Sequence, residues 1–259
     1  MIDQLVAVLL LTATPAPATP ALPLGDAGLP ETRTVTTVAP GVTRTSIVRG
    51  TDPAPPGEIN TTTEGPWRIQ VLTIDPRRAR GQLRVVLDRR GCVVRTAAVR
   101  GTVLTAGQLA LQATGSQEAV LVGVATGCVR ITSELRDADG DRVAVRPGVY
   151  AVNGRYRLTE NGAVVVPPGS GSFFDRNPRT IAGTTRTGEI VLATIDGRRT
   201  TSVGTTMDET AAVAHVLGLR DAINLDGGGS TTMSVRGTLV NQPSGGSQRP
   251  VGDALIWTN

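Results

Sequence analysis

The side chains best suited to chemistry gather in one short stretch. Asn224-Leu225-Asp226-Gly227-Gly228-Gly229-Ser230-Thr231-Thr232-Met233 sets a carboxylate at the head of three glycines, with three hydroxyl residues behind them. Consecutive glycines let backbone N–H groups converge on an anion with no Cβ in the way. Ser230, Thr231 and Thr232 add hydroxyl donors at the same rim, and the apolar run Ile223-Asn224-Leu225 reads as a buried strand delivering Asp226 to the mouth of a sheet. Such a loop suits a phosphoryl group or a sugar oxygen with one carboxylate alongside. It is not a nucleotide-binding loop of the Walker type, because the Lys-Ser/Thr required after the glycines is missing. An isolated Gly-Gly-Gly-Ser would as readily be a polar hairpin; the preceding strand and Asp226 shift the balance toward a site.

Two further groups qualify. In Arg176-Asn177-Pro178-Arg179-Thr180, Arg179 leads directly into a strand-like run, where its guanidinium could face a cleft and grip a phosphate with two hydrogen bonds. In Thr194-Ile195-Asp196-Gly197-Arg198, Asp196 stands at a strand end beside Arg198. The lone histidine, His215, falls within an Ala-rich helical pattern, so a Ser-His-Asp triad has no support. No His, Cys or carboxylate cluster has metal-ligand spacing, and neither a metal nor a cofactor is expected.

The elements that must position these residues are mostly strands. Thr, Val and Gly are abundant, aromatics make up only 2% of the 259 residues, and Val, Ile, Leu and Ala must build the core. Trp67–Asp75, Leu83–Leu87, Cys92–Val94 and Ile190–Ile195 read as strands, with further short ones at 119–124, 128–133 and 143–145. Asn161-Gly162 reads as a hairpin turn between two short alternating runs, and Arg236-Gly237 as another turn. A helix starts after Thr206, with Asp208 and Glu209 in its first turn, and ends at Gly218; a shorter one is expected over 106–114. These elements predict one α+β domain: a strand-rich mixed sheet core with a few flanking helices.

Residues 1–30 read as a signal-like segment plus a Pro/Thr/Ala linker, 31–66 as an extended lead-in, and 67–259 as the domain. The apolar run Leu5–Leu11 is too short to cross a bilayer but resembles the core of a secretory signal, which points to a secreted or cell-envelope location. In an exported protein Cys92 and Cys128 read as one disulfide. The net charge is +4, from 26 Arg against 22 acidic residues and no Lys, a pattern that reflects coding bias in a GC-rich genome. Scarce aromatics and the signal-like start argue against a nucleic-acid binder.

The run Asn224–Met233, preceded by Ser202-Val203-Gly204-Thr205-Thr206-Met207-Asp208-Glu209, resembles the phosphodiester glycosidase family. So do Arg176–Thr180, Thr194–Arg198 and the closing Arg249-Pro250-Val251-Gly252-Asp253-Ala254-Leu255. The resemblance is strongest over 150–259 and implies hydrolysis of a sugar-1-phosphodiester to free sugar and a phosphomonoester, with a phosphoglycan or similar substrate. It implies that Arg179 and the Gly227, Gly228 and Gly229 amides hold the phosphate, with Asn224, Ser230, Thr231, Thr232 and Arg198 lining the site. Asp226 or Asp196 would serve as acid/base or stabilise charge at the anomeric carbon. The chain departs from the family in its first half, where Asn153-Gly154-Arg155-Tyr156 is the nearest match to an earlier Asn-Gly-x-Phe-Phe segment. A binding module for anionic cell-surface glycans, with catalysis lost, is the alternative reading.

Overall fold

The computed structural model describes residues 20–87, 93–94, 128–129, 135–136, 142–144, 152, 154–251 and 253–258. The strands are β1 (Glu31–Ala39), β2 (Val42–Arg49), β3 (Trp67–Ile74), β4 (Gln82–Leu87), β5 (Val93–Val94), β6 (Cys128–Val129), β7 (Leu135–Arg136), β8 (Arg142–Val143), β9 (Arg157–Glu160), β10 (Ala163–Val164), β11 (Arg179–Thr185), β12 (Ile190–Ile195), β13 (Leu219–Asn224), β14 (Ser234–Val235), β15 (Thr238–Leu239) and β16 (Asp253–Thr258). One α-helix, α1 (Met207–Val216), occurs among the described residues, between β12 and β13.

Eight strands form one sheet in the order β1-β2-β3-β12-β11-β13-β9-β10. Every pairing in it is antiparallel. The architecture is therefore mostly β, which corrects the expected mixed sheet and few flanking helices: alternating runs such as Trp67–Ile74 pair in antiparallel neighbours, and Thr, Val and Gly leave little helix-forming sequence. The second expected helix, 106–114, lies outside the described residues. So does Cys92; no disulfide is recorded among the described residues, where Cys128 opens β6 opposite Val94.

The core is aliphatic and small-residue rich, as the composition requires. Ile69, Val71, Val191, Ala193 and Ile195 from the centre of the sheet pack with Met207, Ala211, Val213 and Ala214 of α1 and with Trp67. Leu22 and Leu24 enter the same core. Buried Arg49 secures that arm by donating from Nε to Leu24 O and from Nη2 to Asp26 O. The chain before Trp67 is thus built into the sheet from Glu31 and into the core from Leu22. α1 begins as its sequence requires: Thr206 Oγ1 accepts from Glu209 N at 3.1 Å while Glu209 Oε2 accepts from Thr206 N at 3.0 Å.

Candidate active site

Antiparallel pairing of β12, β11, β13 and β9 brings four chain positions to one end of the sheet. Arg179 at the start of β11 faces Ile195 at the end of β12, Ile181 faces Asn224 at the end of β13, and Ile223 faces Arg157 at the start of β9. Asp196, Arg179, Asp226 and Tyr156 therefore leave neighbouring strands at the same edge, although up to 70 residues separate them in sequence.

The glycine loop leaves β13 through buried Leu225, whose N–H donates to Thr180 O. Asp226 is exposed, its side chain 79% accessible. Its Oδ1 accepts from Gly227 N at 2.9 Å and its Oδ2 from Ser230 Oγ at 2.5 Å, with Arg249 Nη2 at 3.4 Å from Oδ2. Arg249 also donates to Ser230 Oγ. Gly228 has φ +59°, in the left-handed region, and a Cβ there would lie 3.4 Å from Arg198 Nη1. A Cβ on Gly229 would lie 3.2 Å from Arg249 Nη1. Two guanidinium groups thus flank the glycines, and Asp226 stands between loop and solvent. Of the three glycine amides two are engaged, Gly227 N–H with Asp226 and Gly228 N–H with Pro178 O at 2.9 Å.

Asp196 occupies a different environment. It is 2% exposed, and burial pushes its carboxyl up to about 6. The hydrogen bonds from Asn241 Nδ2 (2.9 Å) and Gln242 N (3.0 Å) oppose that rise. Asn241 also donates to Thr231 O at 3.1 Å and accepts from Met233 N at 2.7 Å. Asp196 is thereby tied, through one amide, to the segment that follows the glycines.

Arg179 is 2% exposed and faces main-chain carbonyls instead of an open cleft: Nε donates to Thr205 O, and Nη2 to Phe173 O and Asp175 O, both at 2.8 Å. Burial, reinforced by Arg198, lowers it to about 10, so it stays cationic at neutral pH. Arg176 is also a structural cation, paired with Glu209 through two bonds of 2.7 and 2.8 Å. Asn224 and Thr231 are buried at the base of the loop, with Asn224 Nδ2 on Arg155 O and Thr180 Oγ1 on Thr231 Oγ1. Thr232 is half-buried. On the β9 side Tyr156, Phe173 and Phe174 pack together, with the Arg155 guanidinium 4.6 Å from the Phe173 ring centre.

The site residues expected from sequence are thus sorted into two layers. Asp226, Gly227, Gly228, Gly229, Ser230 and Arg198 form the accessible rim, while Asp196, Arg179, Asn224 and Thr231 lie beneath it. Arg249, Asn241 and Asn177 were not singled out as site residues. Their contacts join residues 21 to 45 positions apart, a separation that local spacing does not encode.

The pattern of residues along the chain matches the phosphodiester glycosidase family over residues 80–258. The chain belongs to the phosphodiester glycosidase family. A candidate exported protein of Burkholderia pseudomallei is similar to this phosphodiester glycosidase family member in structure, with a TM-score of 0.59 at 19% identity, over 94% of this chain and 99% of that one. The catalytic domain of zebrafish N-acetylglucosamine-1-phosphodiester alpha-N-acetylglucosaminidase, auto-inhibited by its pro-peptide, has a TM-score of 0.46 at 16% identity, over 83% of this chain and 81% of that one. In sequence, the SPbeta prophage-derived uncharacterized protein YomE of Bacillus subtilis is 36% identical over 80 residues, which are 31% of this chain and 12% of YomE.

Proposed function

We propose that the protein hydrolyses the bond between the anomeric carbon of a sugar and a phosphodiester oxygen. Water oxygen bonds to the anomeric carbon, the carbon–oxygen bond to phosphate breaks, and the products are free sugar and a phosphomonoester. The proton released from water ends on buffer or on the phosphate. The observation that carries this reading is the exposed Asp226 carboxylate held on a glycine loop between Arg198 and Arg249. In this proposal Asp226 opposes the positive charge that develops at the anomeric carbon, and the arginines with the Gly229 N–H receive the departing phosphate. A phosphate leaves as a stable anion whose second pKa is about 6, so it needs little help from a general acid. One accessible carboxylate then suffices, and buried Asp196 acts by holding the loop.

Family membership and the rim geometry support this reading. Release of free sugar from a panel of synthetic sugar-1-phosphodiesters tests it. Wild type is expected to turn over at least one member, with Asp226→Asn slower by about a hundredfold or more. A wild type inert across the whole panel overturns the proposal; full activity in Asp226→Asn removes Asp226 from the reaction.

Export belongs to the same proposal, on the signal-like Leu5–Leu11 run and the similarity to a candidate exported protein. No helix among the described residues is long and apolar enough to cross a membrane. N-terminal sequencing of protein from the culture medium is expected to show cleavage after Ala18 or Ala21, where small residues follow the apolar run.

A further inference from the structure

Arg198 is one of the few non-glycine residues with a left-handed backbone, at φ +59°. That conformation is unfavourable for a side chain with a Cβ, and it persists where the surroundings impose it. Arg198 is exposed, so burial does not impose it. The Arg198 N–H donates to Val203 O, and its guanidinium lies beside Gly228. Its Nη2 donates to Asn177 Oδ1 at 2.7 Å.

The orientation of that amide is fixed by its other end. Asn177 Nδ2 donates to Ser172 O at 2.8 Å and to Asp175 O at 3.0 Å, so its oxygen must face Arg198. The Asn177 main chain is locked as well, exchanging bonds of 3.0 and 3.1 Å with Thr205. The next residue reaches the other half of the site, since Pro178 O accepts from Gly228 N. One dipeptide therefore touches both the Arg198 loop and the glycine loop.

An amide is also the right electrostatic choice. It orients a guanidinium without cancelling its charge, whereas a carboxylate at the same place would pair with it. Arg198 makes no ion pair with a carboxylate among the described residues, and it raises the cost of the charge on buried Arg179. An oxyanion seated at Arg198 would relieve that repulsion.

We infer that Asn177 positions Arg198 over the glycine loop as an unneutralised cation for a phosphate oxyanion, a role that rests on the proposed reading of Arg198 as a phosphate ligand. Calorimetric titration of the full chain with inorganic phosphate at pH 7 tests both parts. Arg198→Gly is expected to weaken phosphate about tenfold or more, since one charge-assisted bond is lost. The same variant is expected to melt at a higher temperature, because glycine adopts this backbone without strain. Asn177→Ala is expected to weaken phosphate by a similar factor, and the double variant to bind no worse than Arg198→Gly alone. A merely structural Asn177 would instead add its loss to that of Arg198. Unchanged affinity in Arg198→Gly overturns the reading of Arg198 and this inference with it. A loss in Arg198→Gly with wild-type affinity in Asn177→Ala overturns the positioning role alone. Should Asn177→Ala fail to fold, Asn177→Ser carries the test: a hydroxyl can still donate to one of the Ser172 and Asp175 carbonyls but leaves Arg198 without its acceptor, so phosphate is expected to weaken about tenfold, and retained affinity overturns the role.

Discussion

Two aspartates that look equivalent in sequence, each followed by glycine at a strand end, behave differently once folded. Asp226 is solvated and paired with Arg249, whereas Asp196 is buried and raised to about 6. The fold therefore favours the neutral form of Asp196. Its contribution to stability is fully present below its unfolded value of 3.8 and is lost as pH rises through 6. The span corresponds to about 3 kcal/mol. In Asp196→Asn, which cannot ionise, the unfolding free energy is expected to gain on wild type by up to that amount between pH 4 and 7. Urea titrations of both proteins across this range would reveal it, and a constant difference would contradict the assignment. What sequence could convey at this scale was residue type and strand-end placement. It could not convey exposure, because the group that covers Asp196, Asn241, arrives from 45 positions away.

Elements with strong local signals emerge where expected. The helix start at Thr206, the turn at Asn161-Gly162 and the apolar run Ile190–Ile195 each carry their own instruction, and all three form. β1 and β2 carried a weaker one. Their Thr-rich alternation around Pro40-Gly41 reads as extended chain, and their pairing with each other and of β2 with β3 makes them sheet. The helix start also shows how a local device acquires a distant partner. Glu209 caps α1 and simultaneously holds Arg176, whose side chain is 8% exposed. Thr206→Ala is expected to cost about 1 kcal/mol, the usual value of a cap. Glu209→Gln should cost more, about 2–3 kcal/mol, because a largely buried guanidinium loses its counter-charge. Urea midpoints of the two variants would rank them, and a smaller loss in Glu209→Gln would show that the ion pair adds nothing.

For the molecule as a whole, the family pattern begins at residue 80 but the sheet begins at Glu31. β3 pairs with β12 along six residue pairs, and Arg68 O accepts the Asp196 N–H. The structural likeness to the Burkholderia pseudomallei protein extends over 94% of this chain, so the early strands belong to the fold. A fragment confined to 80–258 is expected to be insoluble or unfolded, since it exposes the edge of β12 and loses Trp67 and Ile69 from the core. Circular dichroism of that fragment beside a 20–259 fragment would decide it; a folded 80–258 fragment would make the early strands an accessory layer.

Besides the Asn177 side chain, the joint around Asn177 and Pro178 rests on close main-chain packing. A Cβ on Gly197, Gly204 or Gly227 would lie 2.7 Å from its backbone atoms. Main-chain contacts have no rotamers to rearrange and are indifferent to which side chains stand nearby. Descendants of this sequence can therefore exchange Arg155 or Phe173 on the neighbouring rim while the pivot stays fixed. Diversification across the family should run along the β9 rim and halt at these three glycines.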